Sequence, residues 1–135
     1  MKSRTRNILI FIAALSAVMA FSMYRSYTYN KVAKTLADET LVGTGTPMLL
    51  ELGAPWCGPC QQMMPVLGEL SQSRSEFIVA SVNVDEKEGV ARDYNVSAIP
   101  LLLFLDGQGK VLYRWTGAMT KEQILGKWRE LGVVE

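Results

Sequence analysis

The 135-residue sequence predicts an α/β protein, a mixed central β-sheet with helices on both faces, behind an N-terminal signal or anchor segment. Three observations carry that expectation. Short apolar runs alternate with helical patterns in the order strand-helix-strand-helix-strand-strand-helix. The first strand-helix-strand passage fits a βαβ unit with parallel strands. The last two strands are joined by a tight turn, which fits an antiparallel hairpin closed by a final helix.

The amino terminus is short and basic, with Lys2, Arg4 and Arg6. Ile8 to Met23 (ILIFIAALSAVMAFSM) then carries no charge. As a helix it would rise about 24 Å, a little short of a hydrocarbon core of about 30 Å. Segment 1–23 therefore reads as a signal peptide or a membrane anchor. Val18 and Ala20 suit a cleavage site. Tyr24, Tyr27 and Tyr29 favour the anchor, because tyrosine concentrates at membrane interfaces. Either reading exports the remainder to the periplasm or another extracytoplasmic face of the inner membrane, and an anchor would keep its basic end cytoplasmic.

Residues 24–44 are expected to form a connector. Its NKVAKTLADET stretch (30–40) places Val32, Ala33, Leu36 and Ala37 at helical spacing. The glycines and proline of VGTGTP break that pattern. The main domain is expected over 45–135. MLLEL (48–52) reads as a buried strand. Cys60 to Ser71 reads as a helix, interrupted by Pro65. EFIVASVNVD (76–85) contains a second strand, and EKEGVARDYNV (86–96) a short helix. PLLLFLD (100–106), the turn GQG and KVLYRWTG (110–117) form the hairpin. TKEQILGKWREL (120–131) is a terminal amphipathic helix with Thr120 as N-cap and a stripe of Ile124, Leu125, Trp128 and Leu131.

Charge and composition exclude several functions. Removing the three basic residues at the amino terminus leaves 11 basic and 13 acidic residues, so no nucleic-acid footprint is present. The chain has no histidine, which removes Ser-His-Asp and Cys-His catalysis and most zinc and copper sites.

Both cysteines lie in ELGAPWCGPCQQ (51–62). Two cysteines without histidine do not close a zinc site. A disulfide across so short a loop stabilises the fold little. A reactive dithiol fits better. Cys57 follows a turn and opens a helix, where unpaired N–H groups and the helix dipole favour a thiolate. Cys60, one turn on, is placed to attack a mixed disulfide formed by Cys57. Gly58 permits close backbone approach, and Pro59 stiffens the loop where its missing N–H costs little. Glu51 interrupts an apolar strand, and burial of its carboxyl should raise its pKa.

APWCGPC resembles the active site of the thioredoxin family. Pro65, VASVNVDE (79–86), YNVSAIPLLLF (94–104) and TGAMTKEQI (116–124) resemble further family segments, so the resemblance spans about 45 to 133. It implies the thioredoxin fold and a thiol:disulfide oxidoreductase that needs no cofactor or metal beyond its redox-active disulfide. It makes Cys57 the attacking thiol, Cys60 the resolving thiol and Glu51 the base for Cys60. It places Trp56 over the site and Pro100 in cis beside it, with the Ile99 backbone and the Gly117 turn meeting an extended substrate. Implied partners are protein disulfides and a membrane electron donor, and cytochrome c maturation is one destination among exported relatives. Gln61, Ser81 and Leu101 depart from the family pattern and leave the site less cationic. A disulfide oxidase or isomerase, a tethered binding module with an incidental dithiol, and Cu(I) delivery are the competing readings.

Overall fold

The computed structural model describes residues 2–135, so Met1 of the expected leader lies outside the described residues. The elements are α1 (Lys2–Ala33), β1 (Met48–Gly53), α2 (Gly58–Ser73), β2 (Ile78–Asn83), α3 (Glu88–Asp93), β3 (Leu101–Leu105), β4 (Val111–Thr116) and α4 (Lys121–Glu130). A 3₁₀ turn, Glu39–Leu41, lies between α1 and β1.

The four strands form one sheet in the order β2-β1-β3-β4. β1 and β2 are parallel, as a βαβ unit requires, and their register sets Glu51 opposite Ser81. β3 runs antiparallel to both β1 and β4. Alternation along β1 sends Leu49, Glu51 and Gly53 to one face and Met48, Leu50 and Leu52 to the other. The first face is covered by the last turns of α1, by α2 and by α4, with Tyr29, Met63, Leu67, Phe104 and Trp128 in one core. The second is covered by α3 and the segment around Ala37 and Val42. Helices thus flank both sides of a mixed sheet. Trp128 anchors α4 by packing on Phe77 and Phe104, with ring centroids 5.0 and 4.8 Å away. Thr120 caps α4 in a capping box with Gln123.

The separate helix expected within 30–40 does not form. α1 instead runs unbroken for 32 residues to Ala33. Nothing in SMYRSYTYNKVA (22–33) stops a helix, since it holds neither Gly nor Pro. Beyond it the chain turns at Lys34 and Thr35, and Ala37 pairs with Ala80 on the edge of β2. Arg25, Tyr29 and Val32 share one helical face and turn it to the domain. Tyr29 is 2% exposed. The segment expected as a connector therefore contributes to the core. Ile8 to Met23, by contrast, presents its large apolar side chains to the outside, and the helix is long and apolar enough to cross a membrane.

Candidate active site

Cys57 is the N-cap of α2, and its sulfur accepts the N–H of Cys60 at 3.3 Å. Gly58 and Pro59 open the helix, where the missing proline N–H breaks no bond. A Cβ on Gly58 would meet nothing within 4 Å, so the glycine leaves the approach to Cys57 open. The two cysteines are joined as a disulfide, with Cα atoms 5.2 Å apart. Cys57 sits at the rim, 6% exposed, and Cys60 is fully buried.

Ile99–Pro100 is a cis peptide. The carbonyl of Ile99 lies 3.9 Å from Cys57 Sγ. As a disulfide sulfur has no proton, this is a contact and not a hydrogen bond. The Pro100 carbonyl accepts the N–H of Gly117 at 2.8 Å, and Gly117 takes φ +112°, a conformation that favours glycine. Trp56 stands beside the dithiol, 65% exposed, with Nε1 donating to Asp85 at 2.7 Å. Trp56, Val84, Ala91, Val96 and Ile99 line an open groove of about 410 Å³.

Behind the cysteines lies Glu51, fully buried. The Ser81 hydroxyl donates to its Oε2 at 2.7 Å, and Oε1 has no hydrogen-bond partner among the described residues. Burial pushes its pKa up to about 7, against the Ser81 hydrogen bond, which favours the ionised form. A Cβ on Gly53 would overlap Glu51 Oε1 and lie 3.1 Å from Cys60 Sγ. The carboxyl and the buried sulfur therefore converge on the space that glycine leaves free. Tyr29 covers the acid from α1, with its hydroxyl buried near Ser81. Tyr29, Ser81 and Glu86 line a cleft of about 370 Å³.

The structure adds residues that sequence reasoning did not assign. The Pro55 carbonyl accepts from Gln61 Nε2 at 2.6 Å and from Ser26 Oγ at 3.2 Å. Arg25 Nη2 reaches the Gly58 carbonyl at 3.5 Å. The neutral residues around the cysteines predicted a weakly cationic site, yet α1 brings a guanidinium to the loop. Neither Arg25 nor Ser26 carries a local signal, as each contact spans about thirty residues of chain. Asp85, the partner of Trp56, is likewise separated from it by 29 positions.

A dithiol at a helix N-terminus, with a buried acid behind it and an extended backbone edge in front, defines a thiol:disulfide exchange site. The thioredoxin family model matches residues 28–130. Thioredoxin 1 of Synechococcus elongatus is 40% identical over 83 residues, 57% of this chain and 78% of that protein. Chloroplastic thioredoxin Y1 of Arabidopsis thaliana is 34% identical over 90 residues, 65% of this chain and about half, 51%, of that protein. A mutant thioredoxin from Halobacterium salinarum superposes with a TM-score of 0.60 at 27% identity, covering 66% of this chain and 78% of the other. The chain belongs to the thioredoxin family, whose members are disulfide oxidoreductases, and it carries the paired cysteines that such chemistry uses.

Proposed function

We propose that this protein is a membrane-anchored, extracytoplasmic thioredoxin that reduces protein disulfides. The observation that carries the reading is the dithiol itself: Cys57 caps α2 and accepts a backbone N–H, while Cys60 is buried against Glu51. Cys57 thiolate attacks one sulfur of a substrate disulfide, and the other sulfur leaves as a thiolate. Cys60 passes its proton to Glu51 and attacks Cys57 Sγ. The substrate departs with both electrons as a dithiol, and Cys57–Cys60 remains as the disulfide. No cofactor beyond this pair takes part. A membrane electron carrier returns two electrons and restores the dithiol. Trp56, Ile99, Pro100 and Gly117 form the surface that receives an extended substrate segment. The charge-free run before Tyr24, its basic flank and its full exposure support the anchor. Apocytochrome c, with its pair of haem-attachment cysteines, fits this chemistry as a substrate.

A Cys60→Ser variant tests the reading. It should accumulate a mixed disulfide through Cys57, and mass spectrometry of the adduct identifies the substrate. Absence of any Cys57-dependent adduct defeats the proposal. So does a measured potential near about −120 mV, at the oxidising end of the range.

A further inference from the structure

We infer that the dithiol works inside the headgroup layer of the bilayer, on cysteines that a membrane-embedded partner presents at that surface. This inference rests on the anchored reading above and adds to it a location and a class of partner. It starts from the contacts between α1 and the active-site loop. Arg25 and Ser26 hold the carbonyls of Gly58 and Pro55. Further along, Val32 packs at Gly68, a Cβ there lying 3.2 Å from its Cγ1. As α1 advances from Arg25 to Val32, its contacts advance along α2 from Gly58 to Gly68. The two helices run side by side in the same direction. The residues before Arg25 must then project past the N-terminus of α2, on the side of the dithiol.

The separation from the membrane is short. The apolar run ends at Met23, two residues before Arg25, which is about 3 Å of helix rise. α1 is one continuous helix, so no flexible linker lengthens that distance. A headgroup layer is roughly 5–7 Å thick on each side of the hydrocarbon. Arg25 and the loop it holds therefore fall within that layer. The apolar run is also about 6 Å shorter than the hydrocarbon core, and such a shortfall draws flanking residues inward or thins the bilayer. Both responses press the domain towards the surface. The side chains at this end fit that environment. Tyr24, Tyr27 and Trp56 are 64%, 65% and 65% exposed, and Arg25 lies 5.8 Å from the centre of the Phe21 ring. Amphipathic aromatic residues collect where hydrocarbon meets water.

The consequence is selective reach. A disulfide on a membrane protein close to its span meets Cys57 directly. One far from the bilayer does not, unless its chain bends to the surface.

The test uses the full chain reconstituted in phosphatidylcholine vesicles containing a headgroup-nitroxide lipid. A bimane fluorophore is placed on Cys57 in the Cys60→Ser variant. A second preparation carries it on Ser73→Cys, with Cys57 and Cys60 both replaced by serine. Ser73 ends α2, about 22 Å along the helix from the dithiol, so it should lose less than a third of the emission lost at Cys57. Equal quenching at both positions, or none at either, overturns the inference while leaving the anchor intact. The mass of the chain recovered from cell membranes tests the anchor separately. A product shortened near Ala20 overturns both.

Discussion

Replacing Glu51 by glutamine isolates the electrostatic cost of the buried acid. Glu51 titrates at 4.5 when solvated and at about 7 in the folded chain, raised by burial. At about 1.4 kcal/mol per unit, the difference corresponds to roughly 3 kcal/mol. The sign follows from proton binding. Between these two values the folded state holds a proton that the unfolded state has released, so stability falls as pH rises. The contribution is fully present below 4.5 and lost by the time pH has passed about 7. The other groups facing the carboxyl are Tyr29 from α1, Ser81 from β2 and Cys60 from α2. Tyr29 and Ser81 do not change charge over this interval. Glutamine keeps the shape and can still accept from Ser81, but does not ionise. Urea unfolding of the oxidised chain in detergent micelles, from pH 4 to pH 8, provides the assay. The gap between variant and wild type should move by about 3 kcal/mol in favour of Glu51→Gln as pH rises, any constant cost of the amide cancelling. Parallel stability curves would refute the argument, because Glu51 would then not be held protonated by its surroundings.

Two further substitutions probe the same corner. Gly53→Ala drives a Cβ into Glu51 Oε1 and against Cys60 Sγ, and should destabilise the fold by about 1–3 kcal/mol. An unchanged thermal midpoint by circular dichroism would show that the carboxyl has room to retreat. Ser81→Ala removes the one hydrogen bond that favours ionised Glu51. The alkaline-rising limb of mixed-disulfide resolution should therefore move upward, by about one pH unit or more. Stopped-flow resolution rates against pH measure it, and an unmoved limb would show that Glu51 does not set the profile.

Much of this arrangement is written locally. MLLEL and PLLLFLD are too apolar to be anything but central strands, and Thr120 with Gln123 spells a helix start. Cys57 reads as a helix cap because the turn and proline around it leave few other conformations. A lone carboxylate in MLLEL marks Glu51 for attention without showing what it faces. What the sequence conceals is the path of α1. Its domain-facing stripe of Arg25, Tyr29 and Val32 mixes a cation, a phenol and an aliphatic, so it lacks the uniform apolar signature of a core face. Read by hydropathy, the core-forming part begins only at Val32. The contacts that matter most there, from Arg25 and Ser26 to the loop, use backbone carbonyls as acceptors, and carbonyls leave no trace in sequence.

The two sulfurs sit in opposite fields. Cys57 has the amide of Cys60 directed at it and the guanidinium of Arg25 on the neighbouring carbonyl. Both favour negative charge at Cys57. Cys60 has beside it a carboxyl that is neutral at low pH and negative above about 7. A thiolate there next to an ionised Glu51 would be opposed by it. In the proposed mechanism Cys57 is the thiolate that begins the attack. In the proposed cycle the Glu51 carboxylate takes the Cys60 proton, so the negative charge passes from oxygen to sulfur without a net increase. Resolution follows attack because the target of Cys60 is the mixed disulfide that Cys57 forms. α1 supplies part of each field, Arg25 in front of the dithiol and Tyr29 over the acid. The helix that bears the apolar run is thus also part of the redox site.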